Sequence, residues 1–461
     1  MNDQLVTASD DATIERTEGH QLSGLFPAGL ENKAIPFAQW QDAIPAPMNT
    51  PPYQSYQTDT DTGHNVWRLG GSGAEMGGVL NYPDGNGALG ILHGQHFYSK
   101  VSPVNSDETY VLGAGGQNQR YAALWKLASR ELVAWVPAAD PELHVEQRHL
   151  MWDRRLPNVY WYTQANQLMR ATIDFSNYRV STEVWDTFTE YEHITLGYGE
   201  GNFSDDGERL VITGKSASDP YVYFTPYEVN QRTRYPWRQV TSPTQPEFDW
   251  AGVDPTGQYI LFNRREPNRQ TIVVPFSSAA TAEPKVVYEH MKHSDFVIDK
   301  QGEVWIVYGN WQGLHASRLS DGFDKRVWPA GPNVEADQYV TMSGHVARVK
   351  DIPGLVLVSR HYDGGLYYIN IDQPGYSIYL GNSRHGRSPL GSDANGQSAY
   401  NGVDENGEVT FYKREPRGAV SASGKQVFFA ADYQVYLKNG EGYQPEPEWC
   451  RAYLNMIDIG L

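Results

Sequence analysis

The sequence of 461 residues holds one cysteine, Cys450, so no disulfide can form within the chain and no zinc finger can be built from cysteines. Long hydrophobic runs are also missing. The N-terminus, Met1-Asn-Asp-Gln-Leu5, has neither the basic stretch nor the apolar run of a signal peptide, and no later segment approaches a membrane span. We therefore expect no membrane contact, and either a cytoplasmic protein or one whose leader has been removed.

Basic residues are also few relative to acidic ones. Lys and Arg number 37 against 55 Asp and Glu, which gives a net charge of −18. Such a surface disfavours nucleic acid and anionic membranes as partners. It leaves open an anionic polysaccharide, because a local basic patch can outweigh distant acidic charge.

The sequence lacks the hydrophobic periodicity of helices and has short apolar runs typical of strands. Aromatic residues make up 13% of the chain, with 44 Gly and 28 Pro, a composition that suits strands and turns. Polar or Gly/Pro turns recur between apolar runs such as Val159-Tyr-Trp-Tyr162 and Leu355-Val-Leu-Val358. The seven turns are Pro103–Asp107, Arg155–Asn158, Ser204–Gly207, Asp254–Gly257, Asp299–Gly302, Lys350–Gly354 and Ser421–Gly424.

The spacing of these turns predicts the fold. Successive steps between Asp107, Pro157, Gly207, Gly257, Gly302, Gly354 and Gly424 are 50, 50, 50, 45, 52 and 70 residues. A period near 50 with hairpins inside it is typical of a β-propeller, so we predict an all-β, seven-bladed β-propeller. Residues 1–85 lack a clean repeat and form an N-terminal arm packed on the ring, and residues 86–461 form the propeller. The alternating tail up to Ile459 is expected to close the ring, and the protein to be a monomer.

The repeat also predicts which residues meet at one mouth of the central channel. The innermost strand of each blade runs along the axis, so residues nine positions before a turn marker lie at one mouth. They are Tyr198, Phe248, His293 and His345, joined by His149 in blade two and by His96 or Tyr98 in blade one. About eight positions after the markers, the second strands return to the same mouth with Gln117, Lys215, Arg264, Arg265, Arg360 and His361.

A single histidine at a strand start is more often a structural residue than a functional one. Recurrence in register across four blades favours a site. Nucleophile-elbow, HExxH, Walker and dinucleotide motifs are absent, so serine-hydrolase, phosphate and hydride chemistry have no support. Imidazole, phenol and cationic groups around a polar funnel suit β-elimination at a uronic acid, which needs a base, an acid and a partner for the carboxylate.

Several segments resemble the seven-bladed propeller polysaccharide lyases, over roughly residues 90 to 435. They are His93–Asp107, Gly199–Gly207, His293-Ser-Asp295, Gly344–Arg348 with Pro353-Gly354, and Glu415-Pro416 before Ser421–Gly424. Ulvan lyases are the most similar, with oligogalacturonate and rhamnosyl-glucuronate lyases as cousins. The resemblance implies cleavage at C4 of a uronic acid in ulvan, giving an unsaturated 4,5-uronate end.

In ulvan lyases a His/Tyr pair performs the elimination with help from a second His and an Arg. Carried over, this implies His96 as the base, alone or shared with Tyr198, and Tyr198 as the acid, with Tyr191 as its rival. The second family histidine falls at Gln117 and the family arginine at Lys215, which are departures from the pattern. The catalytic candidates are His96, Tyr198, His149 and Lys215, and the substrate-binding candidates are Tyr98, Gln117, Tyr191, Arg264, Arg265, Arg360 and His361.

The His/Tyr route needs no cofactor. Related lyases can carry a metal on histidines that face the axis, which here implies a zinc, calcium or manganese ion on His293 and His345. Two histidines are fewer than the three or four ligands of a zinc site, and the alternative is a pair of hydrogen-bonded structural histidines. The rival functions are a metal-dependent oligouronide or rhamnosyl-glucuronate lyase, and a non-catalytic propeller that binds glycan or protein. A polymer-degrading lyase would be extracellular or periplasmic, whereas an oligosaccharide lyase can stay in the cytoplasm.

Overall fold

The computed structural model describes residues 24–36, 48, 51–71, 73–76, 99–114, 121–138, 150–216, 218–265, 267–288, 293–310, 313–329, 344–360, 364–383, 417–431 and 453–459. Within these ranges the chain forms seven antiparallel sheets. The predicted all-β, seven-bladed β-propeller is thereby confirmed. Helical structure in the same ranges is limited to Glu31–Lys33, Gly73–Met76 and Gly197–Gly199, and none of it is long enough to cross a membrane.

The strands follow one another blade by blade along the chain. Blades one to four contain Tyr110–Ala114, Tyr121–Lys126 and Glu131–Pro137; Met151–Trp152, Val159–Gln164, Gln167–Asp174 and Arg179–Thr187; Tyr191–Leu196, Arg209–Ser216, Val222–Glu228, Thr233–Arg234 and Arg238–Gln239; and Phe248–Val253, Tyr259–Arg264, Gln270–Pro275 and Lys285–Tyr288. Blades five to seven contain Ser294–Ile298, Val304–Asn310, Gly313–Arg318 and Asp324–Pro329; Gly344–Arg348, Leu355–Arg360, Gly365–Asn370, Tyr376–Asn382 and Ile35–Pro36; and Ala419–Val420, Gln426–Ala431, Tyr453–Asp458, Asn65–Arg68 and Tyr56–Thr58.

Both ends of the chain meet in blade seven. The C-terminal strand Tyr453–Asp458 pairs with Gln426–Ala431 on one side and with the N-terminal strand Asn65–Arg68 on the other. The tail therefore pairs within a terminal blade, as its alternation predicts. N-terminal residues also extend blade six, where Ile35–Pro36 pairs with Tyr376–Asn382. The predicted boundary between residues 85 and 86 lies outside the described residues.

Hydrophobic packing closes the ring at every blade interface. Seven buried clusters each combine residues of two adjacent blades. Successive residues of one strand point to opposite faces, so Val211 packs toward blade four while Ile212 packs toward blade two. Each blade thus needs both neighbours to bury its sheet.

The hairpin turns after the inner strands share one construction. Asp153, Asp254 and Asp299 begin three of them, and each carboxylate accepts backbone N–H groups from the turn at 2.6–3.0 Å. Gly257 and Gly302 take left-handed φ values of 75° and 86°, which glycine adopts without steric cost. These turns fix where the inner strand ends and the second strand begins.

Candidate functional site

Antiparallel pairing divides the ring into two mouths. In blades three, four and six the start of the first strand pairs with the end of the second, as Tyr191 does with Ser216, Phe248 with Arg264 and Gly344 with Arg360. We call this end the strand-start mouth, and the end that carries the hairpin turns the turn-side mouth. The predicted site belongs to the strand-start mouth.

Tyr198 sits in a strained loop at that mouth. Gly197, Tyr198 and Gly199 have φ values of 60°, 62° and 100°, so a tyrosine occupies the left-handed region between two glycines. A Cβ on Gly197 would lie 2.1 Å from the Ala251 carbonyl oxygen, which shows that this loop is pressed against blade four. The Tyr198 backbone N–H donates to Thr195 Oγ1 at 3.1 Å. Strain held in this way is common at functional sites.

Phe248 contacts the Tyr198 ring and is the cross-strand neighbour of Arg264. The Tyr198 and Phe248 rings meet edge to face with centroids 5.4 Å apart, and Arg264 is the cross-strand partner of Phe248. Burial lowers the pKa of the Arg264 guanidinium, and its Nε is buried with no hydrogen-bond partner among the described residues. An arginine that lacks a carboxylate partner is suited to bind one from a ligand.

Arg265 differs from its neighbour because it is already paired. Its Nε and Nη2 donate to Asp249 Oδ1 at 2.9 and 2.6 Å, and Asp249 is buried. Of the two adjacent arginines predicted to bind substrate, Arg264 is therefore the better placed.

His293 and His345 lie side by side in blades five and six. Their ring centroids are 4.1 Å apart, and His345 is fully buried while His293 is partly exposed. Asp295, a third possible ligand, uses both oxygens to accept the backbone N–H groups of Phe296 and Arg348. No group of three or more His, Cys, Asp or Glu side chains able to hold a metal occurs among the described residues. Within the described residues, these two imidazoles are fewer than the three or four ligands of a zinc site.

Three further residues predicted to act in catalysis or substrate binding lie within the described part of the chain, each in different surroundings. Tyr191 is buried in the core between blades two and three, and its hydroxyl shares a 2.7 Å hydrogen bond with Thr225, so it is not presented to the mouth. Arg360 is fully buried at the end of the second strand of blade six. Lys215 is exposed and lies opposite His193 in blade three. The candidates His96, Tyr98, Gln117, His149 and His361 lie outside the described residues.

The centre of the channel holds an ion pair that the sequence interpretation missed. Lys100 crosses from blade one to blade three, where its Nζ lies 2.8 Å from Glu200 Oε2, and to blade four, where it lies 2.9 Å from the centre of the Trp250 ring. Asn202 Nδ2 donates to the Lys100 carbonyl at 2.7 Å. Burial lowers the pKa of Lys100, and the nearby carboxylates oppose that shift.

The spacing of the repeat identifies the residues around this ion pair. Lys100, Glu200, Trp250 and Asp295 each stand seven positions before a turn marker, whereas the sequence interpretation counted nine. Burial raises the pKa of Asp295 to about 6, against the attraction of Lys100. Charged groups from blades one, three and five therefore lie together in the channel, beside the Trp250 ring of blade four.

Comparison with known proteins supports the fold. No family model matches the chain, and no curated protein matches its sequence. An oligogalacturonate lyase from Vibrio parahaemolyticus is similar in structure, with a TM-score of 0.54 and 13% identity over 88% of this chain and 96% of that one. An oligogalacturonate lyase in complex with manganese has a TM-score of 0.52 and 13% identity over 91% and 99% of the two chains. At this identity the likeness shows the seven-bladed propeller, and a closer likeness to ulvan lyases stays a prediction.

Proposed function

We propose that the protein is a lyase that cleaves a uronic-acid glycan by β-elimination at the strand-start mouth. The observation that carries the proposal is that Phe248 packs edge to face on the strained Tyr198 and is the cross-strand partner of Arg264, whose Nε has no hydrogen-bond partner among the described residues. Two of the structures that share the fold are oligogalacturonate lyases, which supports uronate chemistry on this architecture. Among substrates we favour ulvan, from the sequence motifs, and we propose that a polymer-degrading form is exported.

The reaction assigns one role to each group. Arg264 neutralises the uronate carboxylate, which makes the proton on C5 more acidic. A base, His96 in our proposal, removes that proton, and the C5–H electrons form the C4–C5 double bond as the C4–O bond breaks. Tyr198 gives its proton to the departing oxygen on C4. The products are an unsaturated uronate end and a free hydroxyl on the other fragment, with no water consumed.

The test is the ultraviolet absorbance of the unsaturated product on ulvan, polygalacturonate, oligogalacturonate and an unsulfated glucuronate polymer. Tyr198→Phe is expected to lower kcat about 10²- to 10⁴-fold, the usual contribution of a positioned acid. Arg264→Gln is expected to raise KM. Tyr259→Phe is the matched control, because Tyr259 is half-buried in the next blade but lies at the turn-side mouth.

No absorbance on any uronate would overturn the lyase function and leave a non-catalytic glycan-binding or protein-binding propeller. Full turnover in Tyr198→Phe would overturn the role of Tyr198 alone.

A second candidate, a metal-dependent oligouronide lyase, is favoured by the neighbouring imidazoles of His293 and His345, whose ring centroids are 4.1 Å apart. Manganese accompanies one structure of this fold, and the described part of the chain supplies two of the ligands such an ion needs. Loss of activity on chelation, restored by manganese and abolished in His345→Ala, would favour this candidate. Turnover that survives chelation would exclude it.

A further inference from the structure

A small cavity lies on the axis at the turn-side mouth, away from the proposed lyase site. Its volume is about 40 Å³, and residues of all seven blades line it, which places it at the centre of the ring. A wider cavity of about 280 Å³ adjoins it and shares Arg154, Asn202 and Lys350 with it. The narrow cavity has room for roughly two or three water molecules.

Cations outnumber carboxylates on the wall of the narrow cavity. Lys100, Arg154, Arg348 and Lys350 line it, against Asp205 and Asp295. The charged side chains on this wall, four cations and two carboxylates, therefore sum to a positive charge, in a protein whose net charge is −18.

Two of the four cations have carboxylate partners. Lys100 is paired with Glu200, which lies outside the cavity wall, and Arg348 forms an ion pair with Asp205 Oδ2. Each oxygen of Asp295 accepts a backbone N–H group. Among the described residues, Asp295 forms no ion pair with the other two cations, Arg154 and Lys350.

Arg154 and Lys350 are left without an ion-pair partner in the described part of the chain. The Arg154 guanidinium has one long hydrogen bond, 3.3 Å to the Asn202 side-chain oxygen, and Lys350 Nζ lies 3.4 Å from the backbone carbonyl of Asp205. Burial lowers the pKa of both groups, the charge of Arg154 lowers that of Lys350 further, and the charge of Asp205, which is ion-paired with Arg348, opposes the shift in each. Two cations that share one carboxylate with a third favour a further anion between them.

Among the described residues, none of the carboxylates around the wider cavity forms an ion pair with Arg154 or Lys350, and Asp153 and Asp351 act on these cations only at longer range. Asp153 caps the turn at Arg155 and Leu156 and accepts from the Trp161 indole, and Glu108 accepts from the backbone and hydroxyl of Ser423. Asp107 is bound to Thr109. Asp351 is exposed at the rim.

We propose that the turn-side mouth is a binding site for a small divalent oxyanion, sulfate or phosphate, clamped between Arg154 of blade two and Lys350 of blade six. The wider cavity gives space for a sugar attached to the anion, so the ligand is either the free ion or a sugar sulfate or phosphate. The site is independent of the proposed lyase function, since it is at the opposite mouth and shares no residue with it.

The experiment is calorimetric titration of the full-length protein with inorganic sulfate, inorganic phosphate, glucose 6-sulfate and glucose 6-phosphate, with chloride at matched ionic strength as the reference. We expect saturable binding of at least one divalent oxyanion. Lys350→Gln and Arg154→Gln should each weaken it about 10- to 100-fold, the usual effect of losing a charged hydrogen bond, whereas Lys350→Arg should retain it. Tighter binding of the sugar ester than of the free ion would identify the sugar as part of the ligand.

The control is Lys425→Gln, because Lys425 is an exposed lysine beside the blade-seven turn and does not line either cavity. Crystals soaked in selenate should show an anomalous peak between Arg154 and Lys350. No saturable binding, or equal binding by wild type and Lys350→Gln, would overturn the proposal. Uronate turnover of Lys350→Gln in buffer free of sulfate and phosphate should equal that of wild type, which separates this site from the lyase site.

Discussion

Asp295 shows how burial and charge compete at a single residue in the channel. Its side chain is buried next to Lys100, and burial raises its pKa from 3.8 to about 6. A carboxyl with a raised folded pKa binds its proton more tightly in the folded chain than in the unfolded one. The contribution of Asp295 to the free energy of unfolding therefore falls as the pH rises from about 4 to about 6, and is constant above that range.

Asp295→Asn should remove this pH dependence. Relative to wild type, the variant is expected to gain on the order of 3 kcal/mol in free energy of unfolding between pH 4 and pH 7, since one pKa unit corresponds to about 1.4 kcal/mol. Urea titrations at several pH values measure it. Asp321→Asn is the control, because the pKa of the exposed Asp321 is lowered to about 2 by Arg318 and its slope has the opposite sign. A parallel pH profile for wild type and Asp295→Asn would contradict the expectation.

The loop from Gly197 to Gly201 is an element whose geometry is fixed by steric limits. A Cβ on Gly197 would meet the Ala251 carbonyl at 2.1 Å, whereas a Cβ on Gly302 would meet nothing within 4 Å, although both glycines have positive φ. Gly197→Ala therefore adds a clash to the backbone strain, and Gly302→Ala adds strain alone. We expect Gly302→Ala to cost about 1–2 kcal/mol and Gly197→Ala clearly more. Chemical unfolding of both variants measures the difference, and equal losses would show that the contact with blade four is relaxed in solution.

The elements that could be predicted from the sequence are those with local causes. Turn glycines such as Gly257 and capping carboxylates such as Asp254 act over a few residues. The repeat period and the starts of the blade strands can therefore be predicted from the sequence. Burial is not local. Tyr191 and Lys100 stand in similar polar and aromatic stretches, but packing by neighbouring blades buries the first in a core and pairs the second with Glu200, about 100 residues away. Arg264, whose Nε has no hydrogen-bond partner among the described residues, and Arg265, which is paired with Asp249, are adjacent in sequence, so the sequence does not distinguish them.

At the scale of the whole molecule, stability depends on the junction in blade seven. The strand Asn65–Arg68 supplies Val66, which is 2% exposed and packs between blades six and seven. Opening the ring there would leave blade faces without their neighbours, and because every interface is of this kind, the loss would spread around the ring. We therefore expect the ring to unfold as one unit, with blade seven as the place where it is most easily opened.

Val66→Asp tests this dependence, because a buried carboxylate without a partner is strongly unfavourable. We expect a loss of more than about 3 kcal/mol in free energy of unfolding, in a single transition seen alike by tryptophan fluorescence and by hydrogen exchange of blade three. Val286→Asp is the matched control, since Val286 also lies in an outer strand but is 40% exposed, and its loss should stay below about 0.5 kcal/mol. If blade three kept its protection in Val66→Asp while blade seven lost its own, the blades would be stable one by one. The closed ring, and with it the alignment of Tyr198 and Arg264 at one mouth, would then depend on the closing strand far less than the packing of the seven interfaces implies.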